Sequence, residues 1–249
     1  MKDEFYIGWQ DKAAPGIGRT VRRTVVGLLL LALLAAAALA FAQRLIGTAV
    51  FEWGNAKNFS GVIQAQPYPR LLIAQTNGAG FATYHLVAPW KFGLKPEAVA
   101  AFDGQAVTLK GTLIYRDNQR MIEVADGSLR LAETNSAVPP VPEIIPLGRQ
   151  TLAGEIVDSK CFLGVMNPGQ LAPHRACAIR CISGGVPPVL VVPRKNGPTA
   201  YLLLVSTAGK PVNREVLDFV AEPLEITGEV ERQGDQLVLR ADPATYRRR

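Results

Sequence analysis

The side chains able to do chemistry in this chain are gathered in one stretch, Cys161 to Gly185, which reads CFLGVMNPGQLAPHRACAIRCISGG. It holds all three cysteines of the protein and one of its two histidines. Cys161, His174, Cys177 and Cys181 make a Cys3His set, and thiolate with imidazole suits zinc, copper or an iron–sulfur centre. Met166, in the same stretch, offers a thioether should the metal be copper. The same cysteines also suit a staple, with Cys161 bonded to Cys177 or Cys181. Cys177 and Cys181 are one helical turn apart, with Cβ atoms ~5–6 Å from each other, whereas a disulfide needs ~3.8 Å. Those two therefore do not pair inside an intact helix, and any single disulfide leaves one thiol over. Thiol exchange is a third chemistry, favoured by a helix start and by Arg175 and Arg180.

The elements that must position these residues are legible from the same letters. Pro173 stands at a helix start and Ser183-Gly184-Gly185 at a stop. Between them His174, Cys177 and Cys181 fall at i, i+3 and i+7, on one face. Cys161 comes from the end of a preceding strand. Asp158 and Lys160 read as solvated loop charges, with Asp158 also placed to accept from His174. His85, alone in the strand TYHLV, reads as a structural or surface residue. The sequence has no Ser–His–Asp set, no phosphate-cradling glycine loop, no carboxylate pair at a useful spacing and no CxxCH for covalent haem. The expectation is a non-catalytic protein.

The chain has 249 residues and a net charge of +6, but much of that excess sits at its ends, at Arg19, Arg22, Arg23, Arg44 and Arg247-Arg248-Arg249, while the interior is close to neutral. Nucleic acid is therefore not the expected partner. The run Thr24–Ala42 carries no charge and matches a hydrocarbon core of ~30 Å as a helix. Arg19, Arg22 and Arg23 precede it, which places residues 1–23 as a cytoplasmic head, 24–46 as a transmembrane anchor and the remainder outside the cytoplasm. A cleaved leader ending near Ala40-Phe41-Ala42 delivers the body to the same compartment. That compartment tolerates disulfides.

Beyond the anchor, strand-length runs alternate with turns: 60–74 broken by Pro67 and Pro69, 80–88, then 105–115 and 120–124 as a hairpin, with a short helix over 95–101. Residues 135–149 read as a proline-rich linker between a first barrel, 50–134, and a second, 150–249. The second half repeats the first. Tyr84, Phe102 and Gly111 match Tyr201, Phe219 and Gly228 at one offset, and Gly61-Val62-Ile63 matches Gly154-Glu155-Ile156 at a shorter one. The second copy must then carry an insertion between its first strand and its Tyr strand, and that insertion, 161–185, is the cysteine segment. The fold expected is mainly β: a transmembrane helix, then two tandem small barrels, the second with a short helical Cys/His insertion. The strand-Gly-strand hairpins with a short helix before them resemble the oligonucleotide/oligosaccharide-binding (OB) fold.

The block GEIVDSKCFLG…HRACAIRCISGGVPP also resembles a group of small exported bacterial OB-like proteins sharing V-D-x-x-C-[YF] followed by H-x-x-C-A-x-x-C. That resemblance implies an exported fold with a shared cysteine–histidine site. The layout is similar to the membrane-anchored OB-fold haem chaperone of cytochrome c maturation, although the tail ADPATYRRR lacks a histidine for haem. Together these point to an inner-membrane protein with its bulk in the periplasm, serving as an accessory or assembly subunit of a respiratory or redox complex. A periplasmic electron-transfer or metal-delivery protein and an exported ligand-binding module are the alternatives.

Overall fold

The computed structural model describes residues 14–44, 49–75, 80–132, 142–194 and 197–249. Helix α1 spans Pro15–Arg44, and Pro15–Ala42 within it is long and apolar enough to cross a membrane, a property shared by anchors and signal sequences. The helix begins before the expected span, so Arg19, Arg22 and Arg23 lie on its first turns. Most of the head, residues 1–13, and residues 45–46 of the expected anchor lie outside the described residues.

The rest of the chain, from Thr48, forms one compact unit built of two barrels. In the first, β1 (Ala49–Phe51) adds to the outside, and β2 (Lys57–Gln64), β3 (Arg70–Ala74) and β4 (Phe81–Val87) run as an antiparallel meander. Helix α2 (Pro96–Val99) leads through a tight turn to β5 (Ala106–Arg116) and β6 (Gln119–Val124), and β7 (Arg130–Leu131) caps β5. The barrel closes because β6 runs parallel to β4 while β5 pairs with both β6 and β2. The second barrel repeats this circuit. Strands β8 (Ile144–Asp158), β9 (Pro188–Val192) and β10 (Ala200–Val205) form the meander, β11 (Pro223–Gln233) returns to β8, and β12 (Gln236–Arg240) runs parallel to β10. A short β13 (Arg247–Arg248) pairs with β11. This five-strand circuit, twice over, is the OB arrangement.

The repeated glycines mark where strands cross closely. A Cβ on Gly61 or on its counterpart Gly154 would lie 2.4 Å from the carbonyl oxygen of Leu72 or Val191. On Gly111 and Gly228 it would lie 2.6 and 2.4 Å from the oxygens of Glu123 and Arg240. No side chain fits at these barrel corners, which is why the spacing recurs. The expected linker is shorter than read: its last residues, from Ile144, already belong to β8 and pair with the end of β11. A register shift at Val230/Glu231 sits opposite Pro146, so the strand accommodates a residue without a donor by bulging. Residues 135–141 lie outside the described residues.

The barrels share an apolar seam. Val87, Ile114 and Met121 of the first pack with Val157, Phe162, Leu163, Val189, Val191 and Tyr201 of the second. Tyr68 enters the second barrel, donating to Leu204 O at 3.3 Å and accepting from Val212 N at 3.0 Å. Beside the seam, the β11–β12 turn docks by polar contacts. Arg70 donates to Gln236 Oε1 (2.9 Å) and Gln233 Oε1 (2.8 Å), and Asp235 accepts from Arg120 and from the Thr83 N–H.

His85 is buried in this network and faces the Gln236 amide nitrogen. Because Gln236 Oε1 is taken by Arg70, its nitrogen is turned to His85 as a donor, so the imidazole Nε2 must be unprotonated. Burial, with help from Arg70, holds the His85 pKa down to about 3. Above pH ~6.5 the ring is neutral folded or unfolded and contributes no slope. As pH falls below that, the unfolded chain takes up a proton that the folded one refuses. Stability should then fall by up to ~1.4 kcal/mol per pH unit, down to the folded value. Urea unfolding between pH 7 and pH 4 should show this loss in the wild type and a shallower one in His85→Gln.

Candidate metal centre

From the last residue of β8 onward, four consecutive side chains go to four different tasks. Asp158, fully buried, accepts from the Cys161 N–H at 2.7 Å through one oxygen and meets His174 Nε2 at 2.9 Å with the other. Ser159 donates to Pro187 O at 2.7 Å. Lys160 turns to the first barrel, and Cys161 turns to the other cysteines. Asp158 and Lys160 are thus not solvated loop charges; they are 0% and 1% exposed, and each is paired.

Cys161 does not end the strand. It opens a wide π-type turn, Cys161–Val165, that wedges between the barrels. Phe162 packs on Tyr201 and carries the Arg116 guanidinium 4.0 Å above its ring. Gly164 passes the backbone at Val50 so closely that a Cβ would sit 2.4 Å from its oxygen. The expected helix forms as α3, Arg175–Ser183, with Pro173 and His174 in a tight turn just before it. Asn213 holds its far end by donating to Ile182 O and Val186 O, both at 2.9 Å.

The result is a three-sulfur group. Cys161 Sγ lies 3.9 Å from Cys177 Sγ and 3.9 Å from Cys181 Sγ, and all three sulfurs fall within 4.8 Å of one another. None is in a disulfide, so the expected bond from Cys161 to Cys177 or Cys181 is not formed: Cys161 stands equally far from both. Cys161 and Cys181 are buried, while Cys177 is partly open. The Cys161 thiol shares a hydrogen bond with Cys181, which pushes Cys161 up and holds Cys181 below the usual thiol range.

His174 is placed beside this group rather than within it. It is buried, its Nε2 is committed to Asp158, and with Asp158 and Cys161 it forms a second cluster. Met166 donates its backbone N–H to Cys161 O at 3.1 Å, but its side chain is 47% exposed. Arg175, expected to act on the thiols, is instead paired with Glu222.

Sequence reading missed what the first barrel adds. Lys160 Nζ donates to Ala88 O (2.8 Å) and Trp90 O (2.6 Å) and pairs with Glu123. Gly93 N–H bonds Gly184 O at 3.0 Å, locking the loop 88–93 against the end of α3. That loop carries Lys91, whose Nζ lies 2.7 Å from Cys177 Sγ. Ala88, Trp90 and Lys91 stand 70 to 86 residues from the side chains they meet, Glu123 is remote as well, and no local pattern announces them.

Chemically, tetrahedral zinc with Zn–S ~2.3 Å sets its ligand sulfurs ~3.8 Å apart, close to the separations here. An iron–sulfur cluster distributes its sulfur ligands over several irons, which this tight triangle does not suit. No protein-family model and no curated protein matches the chain.

Lys160→Met should remove the amine and leave Glu123 and two carbonyls without their donor in a buried seam. Breaking a buried pair from one side costs about 3–5 kcal/mol. Urea unfolding should show a loss of that size, against a much smaller one for the exposed Lys210→Met.

Proposed function

We propose that this is a membrane-anchored protein whose two barrels stand on the periplasmic side of the bacterial inner membrane, and that it carries one thiophilic metal ion, zinc or copper(I), on Cys161, Cys177 and Cys181. The observation that carries the reading is the unpaired triangle of sulfurs, 3.9 Å from Cys161 to each partner. In an oxidising compartment three touching thiols would be driven to a disulfide and a spare thiol; a bound metal ion keeps them as thiolates. Structural zinc sites close with four protein ligands. Here three sulfurs converge, one of them partly open, which leaves a coordination position for exchange. That favours metal delivery or metal-dependent accessory work for a membrane redox complex over a purely structural ion. The anchor supports such a role by keeping the protein at the membrane.

The expected outcome is about one zinc or copper ion per chain in protein purified without chelator, with all three cysteines slow to alkylate until a chelator is added. Each of Cys161→Ser, Cys177→Ser and Cys181→Ser should lose metal by at least tenfold in affinity. Metal analysis with thiol counting decides it. A metal-free protein with one disulfide and one thiol would return the segment to the staple reading.

A further inference from the structure

The contact between Lys91 and Cys177 crosses from one barrel to the other and serves no purpose in closing either. Lys91 is exposed and has no carboxylate partner among the described residues. Its only described side-chain contact is the thiol of Cys177, at 2.7 Å. The backbone that presents it is fixed with unusual firmness for a loop. Ala88 N–H bonds Phe92 O at 3.1 Å, closing the loop on itself. Trp90 takes a left-handed φ of 62°, a conformation costly for a bulky residue unless held, and Lys160 holds its carbonyl. A Cβ on Gly93 would lie 2.0 Å from Gly185 O, and one on Gly184 would lie 2.2 Å from Lys91 O. Loop and helix end therefore meet backbone to backbone, and neither can shift without the other.

We infer that Lys91 is the counter-cation of the three-sulfur site, so that the first barrel controls how tightly the second holds its metal. The inference rests on the metal reading above. Three thiolates with a divalent ion carry one net negative charge, and with a monovalent ion two. Among the described residues Lys160 is paired with Glu123 and Arg175 with Glu222, and Asp158 is committed to His174. Lys91 is, among the described residues, the cation with a hydrogen bond to a sulfur. Its ammonium offsets one negative charge at the edge where Cys177 is open and where incoming protons or a competing ligand would begin metal release. It is a positioning and charge-balancing residue, not a metal ligand.

The test uses the two-barrel protein with its anchor, loaded with Zn(II) or with Co(II) as a spectroscopic probe. Lys91→Met keeps the stem and removes the charge. It should weaken binding and speed metal loss to a chelator by about ten- to hundredfold, the range for residues that act on a metal's ligands. Lys91→Glu should do more, and Lys91→Arg should restore most of the wild-type behaviour. The effect should shrink with added salt, since the contact is exposed. A loop that merely packs would not follow the sign of the charge, and urea unfolding of the same variants should show little change. Metal-loaded wild type and Lys91→Met releasing at equal rates would overturn the role of Lys91 alone, as would Lys91→Arg failing like Lys91→Met. A wild type that holds no metal would overturn the metal reading and this inference with it.

Discussion

A buried ammonium group sets the terms for everything around the cysteines. Lys160 is 1% exposed, and a charge at that depth is tolerated only when its donors are matched. Its matches are Ala88 O, Trp90 O and Glu123, all of the first barrel. The next residue is Cys161. The two barrels cannot separate without stranding that charge, and the strand end that places Cys161 is fixed by the same contact. The sulfur triangle is in this sense a property of the pair of barrels, although all three sulfurs belong to one.

The duplication was legible because closing a small barrel demands the same things twice. Glycines must stand where strands cross, and Gly61, Gly111, Gly154 and Gly228 all meet a backbone oxygen that would strike a Cβ. The Tyr strands and the Phe turns kept their offset for a related reason: Tyr84 and Tyr201 lie on third strands, Phe102 and Phe219 at the turns before the fourth. The insertion was legible as a break in that offset, and it falls between β8 and β9 as the break requires. That Cys177 and Cys181 share a face of α3 followed from spacing alone, whereas His174 stands in the turn before the helix.

What failed was local reading of groups whose partners are remote. Asp-Ser-Lys after a strand has the letters of a solvated turn, yet Asp158 and Lys160 are among the most buried residues of the protein. Nothing near them in sequence reports the carbonyls of Ala88 and Trp90 or the carboxylate of Glu123. His174 sat at the right helical position to be a ligand, but periodicity gives a face and not a direction along it, and Asp158 claims its Nε2. The linker was misjudged for a subtler reason. Prolines argue against a central strand, and Pro146 is admitted only because the pairing with β11 slips beside it.

The two copies have also diverged in what they do with one connection. Between their first and second strands the first barrel has a brief turn, Ala65 to Pro69, and the second has the whole cysteine segment. In OB barrels this loop is one of those that grasp ligands. The brief version sends Tyr68 into the neighbouring barrel, where its hydroxyl bridges Leu204 and Val212. The long version folds back as a turn and a helix whose sulfurs converge at the joint. The first copy thus supplies attachment, through Tyr68, the Lys160 acceptors and the loop bearing Lys91, and the second supplies the soft donors. Neither copy alone would keep three thiols together with a cation against them. A duplicated barrel offers a direct route to such a site, because one copy can keep its fold and specialise in holding the other still.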